Sequence, residues 1–355
     1  MLNLESIKNL QKELSSLLGV SGFEDEVSDF ILNIIKEKNL ADTVWKDKLG
    51  NILVIKEGKV GKERILFDAH TDEIGFMISH IDKKGFIRFV PVGGWDTRIL
   101  LGQAVIIKSE SGKIYHGLIG SKPPHLTSLN ERKKVIGIPD MYIDLGLSSK
   151  EKVEKADINI GSIGTLFVPF QELPDNFVRG KAFDDRTGCN VLLHLLIEAK
   201  DLDHNDTIVM NFAVQEETGR TGTVPGTYSL NPTMAVAVEN TTAADVPGIK
   251  EFENPALLGK GPAITIADKS IISSKLVNRR LIENAKNEGI KFQFKRPMYG
   301  LTDAGRIQES KEGVPSTVVS VPCRYIHSPT SLLNLEDVLN TVKLLKAFVK
   351  NSAEI

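Results

Sequence analysis

The chain of 355 residues has only two cysteines, Cys189 and Cys323, so no disulfide framework can staple it and a reducing compartment is its natural setting. It also lacks a long apolar run: no stretch approaches the ~18 residues that a membrane span needs. Its start, Met1-Leu-Asn-Leu-Glu-Ser-Ile-Lys8, has neither the basic segment nor the apolar core of a secretory leader, which points to a cytoplasmic protein with no membrane partner. An excess of either charge is missing too. Lys and Arg number 44 against 46 Asp and Glu, so no basic field awaits nucleic acid and any partner is recognised at a local site. What is present is a composition 41% hydrophobic and 25% charged, which can bury a substantial core and excludes a disordered or collagen-like chain. The length suits about two domains.

Leu4, Ile7, Leu10, Leu14, Leu17 and Leu18 recur at helical spacing, and Ser21-Gly22-Phe23-Glu24 reads as a capping box opening a second helix through Val27, Phe30, Ile31 and Ile34. Strands are expected at Asn51–Ile55 and Arg64–His70. From about Gly75 to Val168 the pattern turns to short alternating runs between glycine turns, the signature of a small β-domain. Beyond Asp184 apolar strands (Thr207–Val214, Met234–Val238, Lys291–Lys295, Ser316–Val321) alternate with helices (Arg186–Ala199, Ser273–Glu288 and a last one capped by Asn334). The expected fold is α/β: a mixed, mostly parallel sheet between helices, built from residues 1–74 and 169–355 and interrupted by an inserted β-domain over 75–168.

Acidic residues and histidines gather at predicted strand ends: His70 and Asp72, Asp184 and Asp185, Glu216 and Glu217, Glu239, His327. Sites in open α/β sheets form at such ends. Carboxylates crowded into a partly desolvated cleft repel one another, so either several are protonated or cations sit among them. Divalent metal is the economical answer. Imidazole mixed with carboxylate suits Zn²⁺, Co²⁺ or Mn²⁺, and two metals need about five protein ligands, one of them bridging. His70, Asp184, Glu217, Glu239 and His327 supply five, leaving Asp72 and Glu216 to orient ligands and move protons.

Five ordered segments, His70-Thr-Asp-Glu-Ile-Gly-Phe-Met-Ile78, Gly180-Lys-Ala-Phe-Asp-Asp-Arg-Thr-Gly-Cys189, Gln215-Glu-Glu-Thr-Gly219, Leu301-Thr-Asp-Ala-Gly305 and Arg324-Tyr-Ile-His-Ser-Pro329, resemble the tetrahedral, or glutamyl-aminopeptidase-like, dinuclear metallopeptidases, some of which carry an endoglucanase label. The resemblance runs over nearly the whole chain. It implies a phosphorylase/hydrolase-like catalytic domain and a PDZ-like insert that supports dimers. It implies one metal (zinc, cobalt or manganese) held by His70, Asp184 and Glu239, and a second held by Asp184, Glu217 and His327. Asp72 would orient His70, and Glu216 would serve as general base in trimming short peptides from their N-terminus. Homo-oligomeric dimers assembled into a hollow dodecamer are implied as well.

Two departures stand out. Glu239 occupies a position where many relatives carry Asp, and Leu301 one where glycine is common. The expected alternatives are a dinuclear amidase or deacylase of N-acyl amino acids, differing in the pocket alone, and a non-catalytic metal-stabilised assembly protein. A glycosidase is disfavoured because its two carboxyls, roughly 5–9.5 Å apart, do not call for this ligand set. His125 is read as capping a turn or reaching a neighbouring subunit, His80, His116, His194 and His204 as structural, and Cys323 as a small buried residue rather than a nucleophile. Substrate-side walls are expected from Met298-Tyr-Gly-Leu-Thr302.

Overall fold

A computed structural model describes residues 2–61, 63–296 and 299–351. Helix α1 (Leu4–Ser16) starts at a reciprocal cap in which Asn3 and Ser6 bond each other's backbone, and α2 (Asp25–Glu37) follows. Strands β1 (Thr43–Lys46), β2 (Ile52–Lys56) and β3 (Arg64–His70) come next. The insert carries β4 (Gly75–Ile81), β5 (Ile87–Val92), β6 (Ala104–Lys108), β7 (Ile114–Gly120), α3 (Leu129–Arg132), β8 (Tyr142–Asp144), α4 (Lys150–Lys155) and β9 (Ile163–Leu166). The chain then returns through β10 (Gln171–Glu172), β11 (Phe177–Gly180), α5 (Phe183–Ala199), β12 (Thr207–Ala213), α6 (Thr223–Leu230), β13 (Met234–Thr242) and β14 (Ala263–Thr265). It closes with α7 (Lys275–Asn287), β15 (Gln293–Lys295), α8 (Ala304–Ile307), β16 (Ser316–Arg324), β17 (Ser331–Asn334) and α9 (Leu335–Lys350).

The large sheet runs β1-β2-β12-β3-β13-β16-β17-β11-β10, with β14 and β15 branching from β16. Pairing is parallel from β12 through β3 and β13 to β16, and antiparallel at β1–β2, β2–β12, β16–β17, β17–β11 and β11–β10. The sheet is mixed, as expected, but only its centre is parallel, which corrects the expectation that it is mostly so. Short links join β1 to β2, β10 to β11 and β16 to β17, and a short link turns the chain back on itself; β2–β12 and β11–β17 pair segments far apart in the chain. The central strands are apolar on both faces because both are covered. Ile65 and Phe67 pack with α1, α5 and α9, while Leu66 between them joins Leu230 of α6 and Ile307 of α8.

Strands β4 to β9 close in the order β4-β5-β8-β7-β6-β9 into an antiparallel barrel filled by its own core, including Ile78, Ile87, Val105, Ile107, Ile143 and Leu166. The inserted domain is thus a closed six-stranded antiparallel barrel. A smaller cluster of Leu18, Val20, Ile106 and Ile163 joins it to the N-terminal segment. The chain leaves the large sheet at His70 and enters the barrel at Gly75, so the insertion starts on the loop that carries Asp72.

The predicted capping box at Ser21 is absent. Glu24 is the N-cap of α2 without a side-chain cap, and the Ser21 hydroxyl donates to Asp72 instead. Asn334 caps α9 as expected, by accepting from the Glu336 N–H, whereas Asp337 accepts from the N–H groups of Gly259 and Gly261.

Candidate metal centre

Parallel register brings distant residues to one edge of the sheet. Ala213 pairs with His70, so β12 runs directly into the Gln215–Glu217 turn beside it. Ala237 pairs with Asp68, which sets Glu239 level with His70, and β16 leads into the loop of His327. Asp184 and Asp185 interrupt the start of α5 with non-helical backbone, so the regular helix begins at Arg186.

All five predicted ligands meet. His70 Nε2 lies 3.5 Å from Asp184 Oδ1 and 3.9 Å from Glu239 Oε2. His327 Nε2 lies 3.5 Å from Asp184 Oδ2 and 3.2 Å from Glu217 Oε1. The two oxygens of Asp184 thus face two different imidazoles. Glu216 lines the same cleft, a cavity of about 560 Å³ also bounded by Arg220, Lys295, Tyr299 and Leu301. Asp72 lies behind it, with Oδ1 3.3 Å from His70 Nδ1, and its two oxygens accept the N–H groups of Glu216 and Glu217 at 3.0 Å each.

The electrostatics carry the mark of crowding. Burial pushes the carboxyls of Glu216, Glu217 and Asp185 upward, and burial with the neighbouring Asp303 and Asp184 brings Glu239 to about 8, against the opposing pull of His70. Burial disfavours charge on both histidines, yet Asp184 with Asp72 raises His70, and Asp184 with Glu217 raises His327 to about 11. Asp184 moves the other way: the two imidazoles outweigh its burial and hold it below the usual carboxylate range.

These residues fit divalent cations. Donor atoms of His70, Asp184 and Glu217 lie within 4.8 Å of one another, as do those of His70, Asp185 and Glu239, and Asp185 Oδ2 is buried without a hydrogen-bond partner. Asp185 is a candidate ligand to which the sequence reading gave no role. Its other oxygen holds the Gly188 N–H.

Three further charged residues support the site and were missed as such, although each stands inside a quoted motif. Glu73 accepts from Lys181 Nζ at 2.7 Å, from the Gly19 N–H and from Thr165 of the barrel. Fully buried Arg186 donates to the carbonyls of Thr71 and Leu14. The available signal was opposite charge in two motifs that both lead into the cleft, Glu73 in one and Lys181 with Arg186 in the other, since a buried charge needs a partner. His125 sits on an exposed turn of the barrel and does not line the cleft. His194 is buried against Asn190, and Cys323 is buried with its thiol pushed up by desolvation. Met298 lies outside the described residues.

The family profile of the M42 glutamyl aminopeptidases matches residues 50–344. The aminopeptidase APDkam598 of the archaeon Desulfurococcus kamchatkensis superposes with a TM-score of 0.93 at 38% identity, over 98% of this chain and 95% of that one. The TET1 peptidase of Pyrococcus horikoshii, which can assemble into a tetrahedron or a large octahedral shell, gives 0.84 at 34% over 97% and 99%. The lysyl aminopeptidase of Pyrococcus furiosus is 35% identical over 346 residues, 96% of either chain.

Proposed function

Because the chain belongs to the M42 glutamyl aminopeptidase family and is a peptide hydrolase, we propose that it releases N-terminal residues from short peptides with the help of two divalent cations. The supporting observation is the split environment of Asp184, one oxygen toward His70 and the other toward His327. His70, Asp184 and Glu239 would hold one cation, with Asp185 in reach, and Asp184, Glu217 and His327 the other. Zinc or cobalt suits these donors best, and manganese is the next choice. When bound, the cations supply Lewis-acid polarisation of the scissile carbonyl and acidify the attacking water.

The chain's own groups do the rest. Glu216 takes the proton of the attacking water and passes it to the leaving amine; its neighbour Glu217 diverges toward His327, so the adjacent carboxylates serve different ends. Asp72 fixes the ring of His70 and, through the N–H groups of Glu216 and Glu217, the turn that carries both. Lys295 and Arg220 stand on the cleft wall, so an acidic first residue is accommodated better than a basic one. The barrel is the proposed dimerisation domain, and dimers assemble into a dodecameric shell like that of the tetrahedral relatives.

Activity on glutamyl, leucyl and lysyl chromogenic substrates, with chelator and with each divalent ion restored, tests the reading. Chelation abolishes turnover, and Glu216→Gln retains metal while losing about 10²- to 10⁴-fold in kcat. Full activity of metal-free protein, or preference for N-acetylated peptides, overturns it.

A further inference from the structure

We infer that Glu24 is a positioning residue for the Gln215–Glu217 turn, an assignment that rests on the function proposed above. Three consecutive backbone N–H groups of this turn each meet a carboxylate from another part of the chain. Those of Glu216 and Glu217 bond Asp72, and that of Gln215 bonds Glu24 Oε1 at 3.0 Å. The same oxygen accepts from the Gly22 N–H at 2.7 Å, while Ser21 donates to Asp72. Segment 21–24, Asp72 and the turn therefore form one continuous brace.

The turn needs bracing. Gln215 adopts left-handed backbone at φ 57, a conformation that a residue with a Cβ disfavours, and the bond from its N–H opposes relaxation. Successive N–H groups pointing into one concavity make a natural seat for anions, here filled by two protein carboxylates. Glu24 is 4% exposed and is not among the residues lining the cleft, so its effect reaches Glu216 through the backbone. This also explains why the local capping pattern fails: the carboxylate that would cap α2 serves a turn 191 residues away.

The test compares Glu24→Met, similar in bulk but without an acceptor, with Glu24→Gln, which keeps one. Each is made in the full chain loaded with zinc or cobalt. The readouts are kcat and KM on an aminoacyl chromogenic substrate, metal content by elemental analysis, and amide hydrogen exchange of a peptide covering residues 213–219. Glu24→Met is expected to lose about 10- to 100-fold in kcat, with KM and metal content nearly unchanged and faster exchange in the turn. Glu24→Gln is expected to restore wild-type exchange and most of kcat. Wild-type kcat and exchange in Glu24→Met overturn the proposal, as does a loss in Glu24→Gln equal to that in Glu24→Met. If Glu24→Met does not fold, Glu24→Gln decides alone: slow exchange with retained kcat supports the brace, and fast exchange with a large loss overturns it. An inactive wild type defeats the proposed function instead, while the exchange comparison still decides the brace.

Discussion

The two histidines that face Asp184 are held in unlike ways. His70 closes a buried strand, is 2% exposed, and has Asp72 against its far nitrogen. His327 is 40% exposed, lies on the loop after β16 with left-handed backbone at φ 57, and has Gly94 of the barrel beside Nδ1. One half of the site is thus an extension of the sheet's core, and the other is assembled from a loop and the inserted domain. The difference teaches that one carboxylate facing both imidazoles, Asp184, can join a rigid half to an adjustable one, and that substitutions should separate the two.

The largest separation is expected from the histidines themselves. His70→Ala leaves the fully buried Asp72 without its imidazole and the half-buried Asp184 with His327 alone, a loss of about 3–5 kcal/mol. His327→Ala also takes a partner from Asp184 and Glu217, but its ring is 40% exposed and water can replace it, so the loss should be smaller, on the order of 1–2 kcal/mol, with a single equivalent of metal removed. Denaturant unfolding of the metal-free proteins, with elemental analysis of the loaded ones, compares them; equal losses of stability would erase the distinction. Arg186→Met comes next. It strips the Thr71 and Leu14 carbonyls of a buried donor and leaves Glu73 with less countercharge, so about 3 kcal/mol should be lost on the His70 side. A thermal midpoint unchanged by this variant would remove Arg186 from the support of that half.

Much of this was legible in the sequence, for identifiable reasons. The mostly apolar run of β12, interrupted by Asn211, which donates to Asp68, and the polar residues at strand ends follow from burial on both faces and from where parallel strands finish. Other features depend on contacts that no local pattern carries. Barrel closure follows from the pairing of β4 with β9, far apart in the chain. Helix α6, Thr-Val-Pro-Gly-Thr-Tyr-Ser-Leu, is rich in poor helix formers; it exists because Pro225 falls in the first turn and Gly226 lies against Asn211, where a Cβ would approach the side chain to 2.6 Å. Glu24 was misassigned because a capping rule sees four residues while the group answers to Gln215. Asp185 went unassigned since adjacency to Asp184 does not reveal which carboxylate turns inward.

A pH experiment sharpens the buried half. Burial, followed by the charge of Asp72, pushes Glu24 up to about 7 from an ordinary 4.5. A carboxyl whose folded pKa exceeds its unfolded one binds its proton more tightly when folded. Its contribution is therefore complete below about pH 4.5 and is lost as pH rises through about 7. At about 1.4 kcal/mol per unit the loss approaches 3 kcal/mol, and Glu24→Gln cannot suffer it. The stability of the wild type relative to Glu24→Gln should fall by that amount between pH 4.5 and 8. A constant difference across that range would mean that Glu24 titrates normally.

The smallest effect probes the adjustable half. A Cβ placed on Gly94 would lie 3.2 Å from His327 Nδ1, closer than an unstrained contact allows, so one of the two must yield. The Gly94 segment is anchored, since the adjacent Trp95 donates to the Gly75 carbonyl at 2.7 Å, whereas the imidazole is half-exposed on a loop. The ring should therefore move. Gly94→Val is expected to weaken one metal equivalent by about tenfold, as loss of an orienting contact commonly does, leaving the other equivalent and the unfolding free energy nearly unchanged. Stepwise metal titration reads this directly. Equal weakening of both equivalents would place Gly94 in support of the whole site, and no weakening of either would leave the barrel without a part in holding His327.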